Sequence, residues 1–114
     1  MPITVPTKAD IQALHDFLQA RNEDEWQAAL ADPDISERQH EAVRRLTNSH
    51  KITLASTTTY LLVCLDNSQT EQAATLWNFF TNCGEQWEEH PDWRPAWANP
   101  ARAALMADLT AGRD

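Results

Sequence analysis

The chain has 114 residues, 42% of them hydrophobic and 23% charged, which predicts one globular domain spanning residues 1–114. Seventeen acidic residues against nine basic ones leave a formal net charge of -8, which disfavours direct binding to nucleic-acid phosphates. Two cysteines exclude a dense disulfide framework, and no segment is apolar over the length of a membrane span. We therefore expect an acidic cytoplasmic protein with reduced thiols.

The first predicted helix begins after Thr7, which forms a capping-box pattern with Asp10. Its apolar residues recur at helical spacing. They are Ile11, Leu14, Leu18, Trp26 and Leu30. We expect this helix to end at about Ala31, because Pro33 follows.

A second helix is predicted after Ser36, which repeats the capping pattern with Gln39. Helical spacing continues from there through Val43, Leu46, His50 and Leu54. From residue 51 to residue 65 the sequence is rich in β-branched side chains, which favour strands, although helical spacing persists. We favour a buried central helix there, and a short β-hairpin around residues 52–65 is the alternative.

Ser68 and Glu71 form a third capping pattern before another helix, which should end near Gly84. The apolar face of this helix consists of Ala73, Leu76, Trp77 and Phe80. Asn99 and Pro100 predict the start of a last short helix that ends before Gly112. The sequence therefore predicts an all-α fold of four to five helices.

An aromatic segment of residues 87–99, here called the tryptophan strap, separates the last two predicted helices. Its two prolines exclude one continuous helix, so we expect an irregular segment that packs across the helices. Tryptophan and arginine are enriched in the energetic centres of interfaces, which makes the strap a candidate docking surface. The candidate interaction residues are Trp87, Glu88, Glu89, Asp92, Trp93, Arg94 and Trp97. A purely structural role, in which the rings cover the helices, is the alternative.

The sequence predicts no catalytic residue, cofactor or metal site. Four histidines and two cysteines lack the paired spacing of zinc ligands, and no glycine-rich phosphate loop occurs. Cys64 lies in an apolar stretch and is expected to be buried, whereas Cys83 beside Gly84 should be more exposed. The basic residues Arg38, Arg44, Arg45 and Lys51 concentrate on the second helix. We expect Glu41 to pair with Arg45 there.

Two separated segments resemble the ends of a family of small uncharacterised proteins from actinobacteria and their phages. They are Phe17-Leu18-Gln19-Ala20-Arg21-Asn22-Glu23-Asp24-Glu25 and His90-Pro91-Asp92-Trp93-Arg94-Pro95-Ala96-Trp97. Members of the family have a longer middle with a His-Asp-Pro-Ala-Arg motif, where this chain has only Glu41-Ala42-Val43-Arg44-Arg45. The resemblance implies an origin in a phage or mobile element and assigns no catalytic residue.

These observations favour a non-catalytic protein-interaction module that engages an unidentified protein partner. The alternative is an acidic inhibitor of nucleic-acid machinery, which occupies a nucleic-acid-binding groove by imitating phosphates. An enzyme is the third hypothesis.

Overall fold

The computed structural model describes residues 5–98, and this part of the chain is built from helices and turns without a β-strand. Helix α1 spans Lys8–Ala31, α2 spans Glu37–Asp66 and α3 spans Thr70–Gly84. Two single-turn 3-10 helices follow, at Glu85–Trp87 and Pro95–Trp97. No helix among these residues is long and apolar enough to cross a membrane.

The first two capping boxes are confirmed. The Asp10 amide donates to the Thr7 hydroxyl over 3.1 Å, and the Thr7 amide donates to the Asp10 carboxylate over 3.0 Å. At α2, the Gln39 amide donates to Ser36 over 3.1 Å and the Ser36 amide donates to the Gln39 side chain over 2.9 Å. Each box satisfies amides that have no partner within the helix, and so fixes where the helix begins.

The alternative β-hairpin around residues 52–65 is wrong, because this segment is the second half of α2. Four side chains on one face are buried, namely Leu54, Thr58, Leu61 and Cys64. The burial of this face outweighs the weak strand preference of the β-branched residues. Thr53 also accommodates the helix locally, since its hydroxyl donates to the Ser49 carbonyl over 3.1 Å.

The predicted count of four to five helices is also corrected, since residues 5–98 contain three α-helices. The second predicted helix and the predicted central helix are one continuous element, α2, which has 30 residues. The last predicted helix, from Asn99 to before Gly112, lies outside the described residues.

The third capping box is wrong because Ser68 ends α2 instead of starting α3. Ser68 has a φ of 58°, in the left-handed region. Its amide donates to the Leu65 carbonyl over 3.2 Å, and the Gln69 amide donates to the Cys64 carbonyl over 2.8 Å. These two bonds are the Schellman arrangement that closes a helix C-terminus. Helix α3 then begins after Gln69 without a side-chain cap.

The core lies where the first half of α1, the second half of α2 and α3 meet. It contains Ile11, Leu14, Phe17, Leu18, Leu54, Leu61, Cys64, Ala73, Trp77, Phe80 and Trp97. The remaining halves of α1 and α2 pack as a pair, with the rings of Trp26 and His40 centred 5.0 Å apart. This arrangement leaves the second half of α2 exposed on the side away from the core.

Two residues assigned to apolar faces by their spacing lie on the surface instead. Leu30 is 49% exposed and Leu46 is 70% exposed. The buried face of α1 continues through Asn22, whose side-chain amide donates to the Thr47 carbonyl over 2.8 Å. A polar contact therefore joins α1 to α2 where an apolar one was expected, and it satisfies the buried Asn22 side chain.

Candidate functional site

The tryptophan strap is a series of tight turns, as its prolines require. The His90 amide donates to the Trp87 carbonyl over 2.9 Å, and the Trp93 amide donates to the His90 carbonyl over 3.0 Å. Pro95 then opens the second 3-10 turn, in which the Trp97 amide donates to the Arg94 carbonyl over 2.9 Å. These local bonds let the strap cross the helices without pairing its backbone to them.

The aromatic rings of the strap converge on Phe17 of α1. The Phe17 ring centroid lies 5.8 Å from that of Trp93 and 5.4 Å from that of Trp97. The two tryptophan rings are themselves 5.2 Å apart in an edge-to-face arrangement. Aromatic pairs at such distances stabilise the fold beyond the area that they bury. Phe17 thus ties the strap to α1.

The three tryptophans of the strap differ in exposure. Trp97 is 4% exposed and belongs to the core, so its assignment to an exposed docking surface is corrected. Trp87 and Trp93 are half-buried and pack against the core with part of each ring facing solvent. Burial of these rings is what holds the strap in place.

The Trp93 ring packs directly against the end of α3 at Gly84, which has no side chain. A Cβ atom added to Gly84 would lie 2.7 Å from Cζ3 of Trp93 and 3.3 Å from Cδ2 of Leu18. Carbon atoms pack at about 3.5–4.0 Å, so the ring occupies the space that a side chain would need. Gly84 has a φ of -92°, which any residue adopts, and so it is required for space alone.

Arg21 connects α1 to the strap through a polar contact. Its Nη1 lies 2.7 Å from Nε2 of His90, while its Nε donates to Asp24 over 3.0 Å. The guanidinium also lies over the Phe17 ring, 5.1 Å from the centroid. The Asp92 amide donates to Nδ1 of His90 over 3.0 Å. The imidazole of His90 therefore lies between the Arg21 guanidinium of α1 and the Asp92 amide of its own turn.

These contacts bring two acidic segments of the chain next to each other. Asp24 and His90 contact the same guanidinium, and Glu88, Glu89 and Asp92 lie within two residues of His90. Glu25 lies one helical turn after Arg21 on the same side of α1. All five carboxylates are exposed. We call this group, Asp24, Glu25, Glu88, Glu89 and Asp92, the acidic surface.

A shallow depression borders the acidic surface and follows the chain from the end of α3. It encloses about 490 Å³. Its lining residues are Glu85, Gln86, Trp87, Glu88, Glu89 and His90. The partly exposed ring of Trp87 therefore lies among carboxylates. The remaining candidate, Arg94, is exposed and its guanidinium lies 5.5 Å from the centre of the Trp97 ring.

Other predicted groups are placed apart from this surface. Cys64 is buried as predicted, and Cys83 is half-buried, where burial raises the pKa of its thiol. Glu41 pairs with Arg44 and not with Arg45, and the hydrogen bond from Arg44 lowers the pKa of the Glu41 carboxyl. Within residues 5–98 no three histidine, cysteine or carboxylate side chains are grouped as metal ligands would be.

Phe17, Arg21 and His90 organise the site, although the sequence did not single them out individually. Arg21 and His90 are 69 positions apart, and no local pattern connects them. All three lie within residues 17–25 and 90–97, and each of these two segments contributes residues to the contact. Comparison with models of known families, with curated proteins and with solved structures gave no match.

Proposed function

We propose that the protein is a non-catalytic interaction module whose acidic surface binds a basic region of a partner protein. The observation that carries this proposal is the contact of Arg21 with both Asp24 and His90, which places two acidic segments from distant parts of the chain next to each other. The guanidinium is largely buried, so it organises these carboxylates without offering its own charge to a partner.

The acidic surface suits recognition because its support is rigid. Phe17, Trp93 and Trp97 fix the strap against α1, so the backbone that carries its carboxylates loses little further conformational entropy on binding. Charge complementarity would direct a basic partner to this end of the molecule and increase the association rate. The exposed part of Trp87 supplies an apolar contact at the border of the carboxylates.

The proposal is tested with a labelled decalysine peptide as the basic probe and with the double variant Glu88→Gln/Glu89→Gln. Exposed ion pairs contribute about 0.2–1 kcal/mol each, so we expect the variant to bind about two- to thirtyfold more weakly at moderate salt, about 0.15 M. Fluorescence anisotropy gives both dissociation constants.

The matched control is Asp34→Asn/Glu37→Gln, which changes the net charge equally at two exposed positions near the turn between α1 and α2. We expect this control to bind within about twofold of the wild type at moderate salt, where distant charges are screened. Equal losses in the two variants would mean that net charge alone governs binding, and would contradict a localised acidic surface.

The second candidate function, an acidic inhibitor of nucleic-acid machinery, draws on the same two neighbouring acidic segments. A surface that imitates phosphates should displace duplex DNA from a basic DNA-binding domain. The Glu88→Gln/Glu89→Gln variant should displace it less well than the Asp34→Asn/Glu37→Gln control. Absence of displacement by the wild-type protein would argue against this candidate while leaving the peptide result intact.

The proposed module belongs to the cytoplasm and has its origin in a phage or mobile element. The proposed location is supported by the two cysteines, which do not form a disulfide. The proposed origin is supported by the resemblance of residues 17–25 and 90–97 to proteins of actinobacteria and their phages. Genes for phage structure or for defence beside the coding sequence would support this origin.

A further inference from the structure

The second half of α2 presents an uncharged face to solvent. Ile52 is 59% exposed, Tyr60 is 58% exposed and Val63 is 47% exposed. Between Lys51 and Glu71 the one charged residue is Asp66. In a chain with a net charge of -8, a helix face of this length without a charge is the region where a like-charged copy can approach most closely.

This face has the spacing of a helix-packing seam. Ile52, Ser56, Thr59 and Val63 follow one another at steps of four, three and four. Such alternation keeps one side of a helix against a neighbouring helix. A shallow depression of about 390 Å³ lies along the seam, lined by Ala55, Ser56, Thr59, Tyr60 and Val63.

We propose that this face binds a second copy of the chain through an antiparallel pairing of the two α2 helices. One register makes the face complementary to itself. In it Ile52 faces Val63, Ser56 faces Thr59, and the large Tyr60 ring faces the small Ala55 of the other copy. Each pair occurs twice around a two-fold axis between Ser56 and Thr59, as a symmetric dimer requires.

The distribution of charge along α2 favours the antiparallel direction. Residues 37–51 carry four cationic side chains against two carboxylates, whereas the other end has Asp66, which pairs with Lys8 over 2.8 Å, and Glu71. In the antiparallel register Ser49 faces Asp66, and Arg45 lies one helical turn beyond it, toward Glu71 of the second copy. Within residues 5–98, neither Arg45 nor Glu71 forms an ion pair in its own chain. A parallel pairing would oppose cations to cations.

The contact at Tyr60 extends this interface onto α3. A second depression of about 390 Å³ lies on the other side of the Tyr60 ring, and Glu71, Gln72, Thr75 and Leu76 complete its lining. The Tyr60 ring therefore projects between two depressions. The Tyr60 ring of a second copy can pack into one of these depressions, as side-chain ridges pack into grooves between helices. The first turn of α3 brings Glu71 to the rim, where Arg45 of the second copy can approach it.

The first experiment measures the oligomeric state of the full chain by sedimentation velocity from about 10 µM to about 500 µM, a range that covers weak interfaces. We expect the average mass to rise toward that of a dimer. The variant Thr59→Glu places carboxylates close together across the two-fold axis and should raise the dissociation constant about tenfold or more. Glutamate is the better helix former at this exposed position, so the monomer should stay folded.

Asn78→Glu is the control, since it adds the same charge at an exposed position of α3 outside the seam. It should leave the dissociation constant within about twofold of the wild type. A wild-type chain that stays monomeric over the whole range overturns the proposal and leaves the face to a different occupant. Equal weakening by the two variants also overturns it.

The second experiment tests the register with the single variants Ile52→Cys and Val63→Cys, each in a Cys83→Ala background. These positions are eleven residues apart, about 16 Å along a helix, which is too far for a disulfide within one chain or between two identical variants in the antiparallel register. We expect covalent dimers only when the two variants are mixed. Dimers formed by each variant alone would show a parallel pairing and would overturn the proposed register.

Discussion

Replacing Gly84 with alanine tests whether the strap is packed against the end of α3. The backbone at Gly84 has a φ of -92° and a ψ of -12°, which alanine adopts without strain. On helix propensity alone, the change should therefore increase the free energy of unfolding by about 0.5–1 kcal/mol. The structure predicts the opposite sign, because the new methyl group would lie 2.7 Å from Cζ3 of Trp93.

The Trp93 ring has little room to retreat from that methyl group. It is confined by the ring of Phe17 at 5.8 Å and by that of Trp97 at 5.2 Å. Overpacking of this kind costs about 1–3 kcal/mol, which exceeds the propensity gain. We expect Gly84→Ala to lower the free energy of unfolding by up to about 2 kcal/mol in urea titrations.

A double-mutant cycle assigns the loss to the ring. In a Trp93→Leu background the methyl group has space, so Gly84→Ala should raise stability by about 0.5–1 kcal/mol, as in an ordinary helix. The coupling between the two positions should then be about 1–3 kcal/mol. If Gly84→Ala stabilises the wild-type protein as much as it stabilises the Trp93→Leu variant, the reasoning is refuted.

Three further predictions concern the helices and the thiols. Thr58→Val should raise the free energy of unfolding by about 1 kcal/mol, because the buried Thr58 hydroxyl has no hydrogen-bond partner among residues 5–98; a loss would show that it has one. Ser68→Gly should raise the free energy of unfolding by about 1 kcal/mol, because glycine adopts the left-handed backbone without strain. The control Ser68→Ala should not raise the free energy of unfolding, because alanine has a Cβ atom as serine does. At pH 8, Cys83 should react with a thiol reagent more slowly than free cysteine does, because burial raises the pKa of its thiol. Cys64 should react only when the protein unfolds, and rapid reaction of Cys64 would contradict its burial.

The parts of the fold that depend on local chemistry could be predicted from the sequence. Thr7 with Asp10, and Ser36 with Gln39, place side-chain acceptors next to amides that need them, and both helices begin there. The same pattern at Ser68 failed because the residue was already needed to close α2. A local pattern cannot show which of two adjacent helices uses a residue at their junction.

The sequence alone could not decide whether residues 52–65 continue α2 as a helix or form strands. Residues 52–65 contain isoleucine, valine and four threonines, whose strand preference amounts to tenths of a kcal/mol each. Burial of Leu54 and Leu61 contributes about 1.5–3 kcal/mol per side chain, which decides the outcome. That burial depends on α1 and α3, so it becomes visible only once the helices are placed.

The site shows the same division between local and long-range information. The sequence indicated that the strap would be irregular and rich in large rings, and its turns follow from the prolines. The placement of Phe17 beneath the strap and of Arg21 against His90 depends on contacts across most of the chain. Two acidic segments that look unrelated along the sequence are therefore neighbours in the fold.

The burial of Trp97 changes which chemistry the strap can offer a partner. A tryptophan that closes the core cannot serve as an interface anchor without a loss of stability, since truncating a large buried aromatic side chain costs about 3–5 kcal/mol. The groups of the strap that remain available to a partner are therefore the exposed carboxylates and the exposed edge of Trp87. The rings of the strap fix its geometry, and its carboxylates supply the charge that a partner would contact. Recognition by such a surface should weaken with salt, whereas pairing of two α2 faces should not weaken, because salt also screens the repulsion between copies that each carry a net charge of -8.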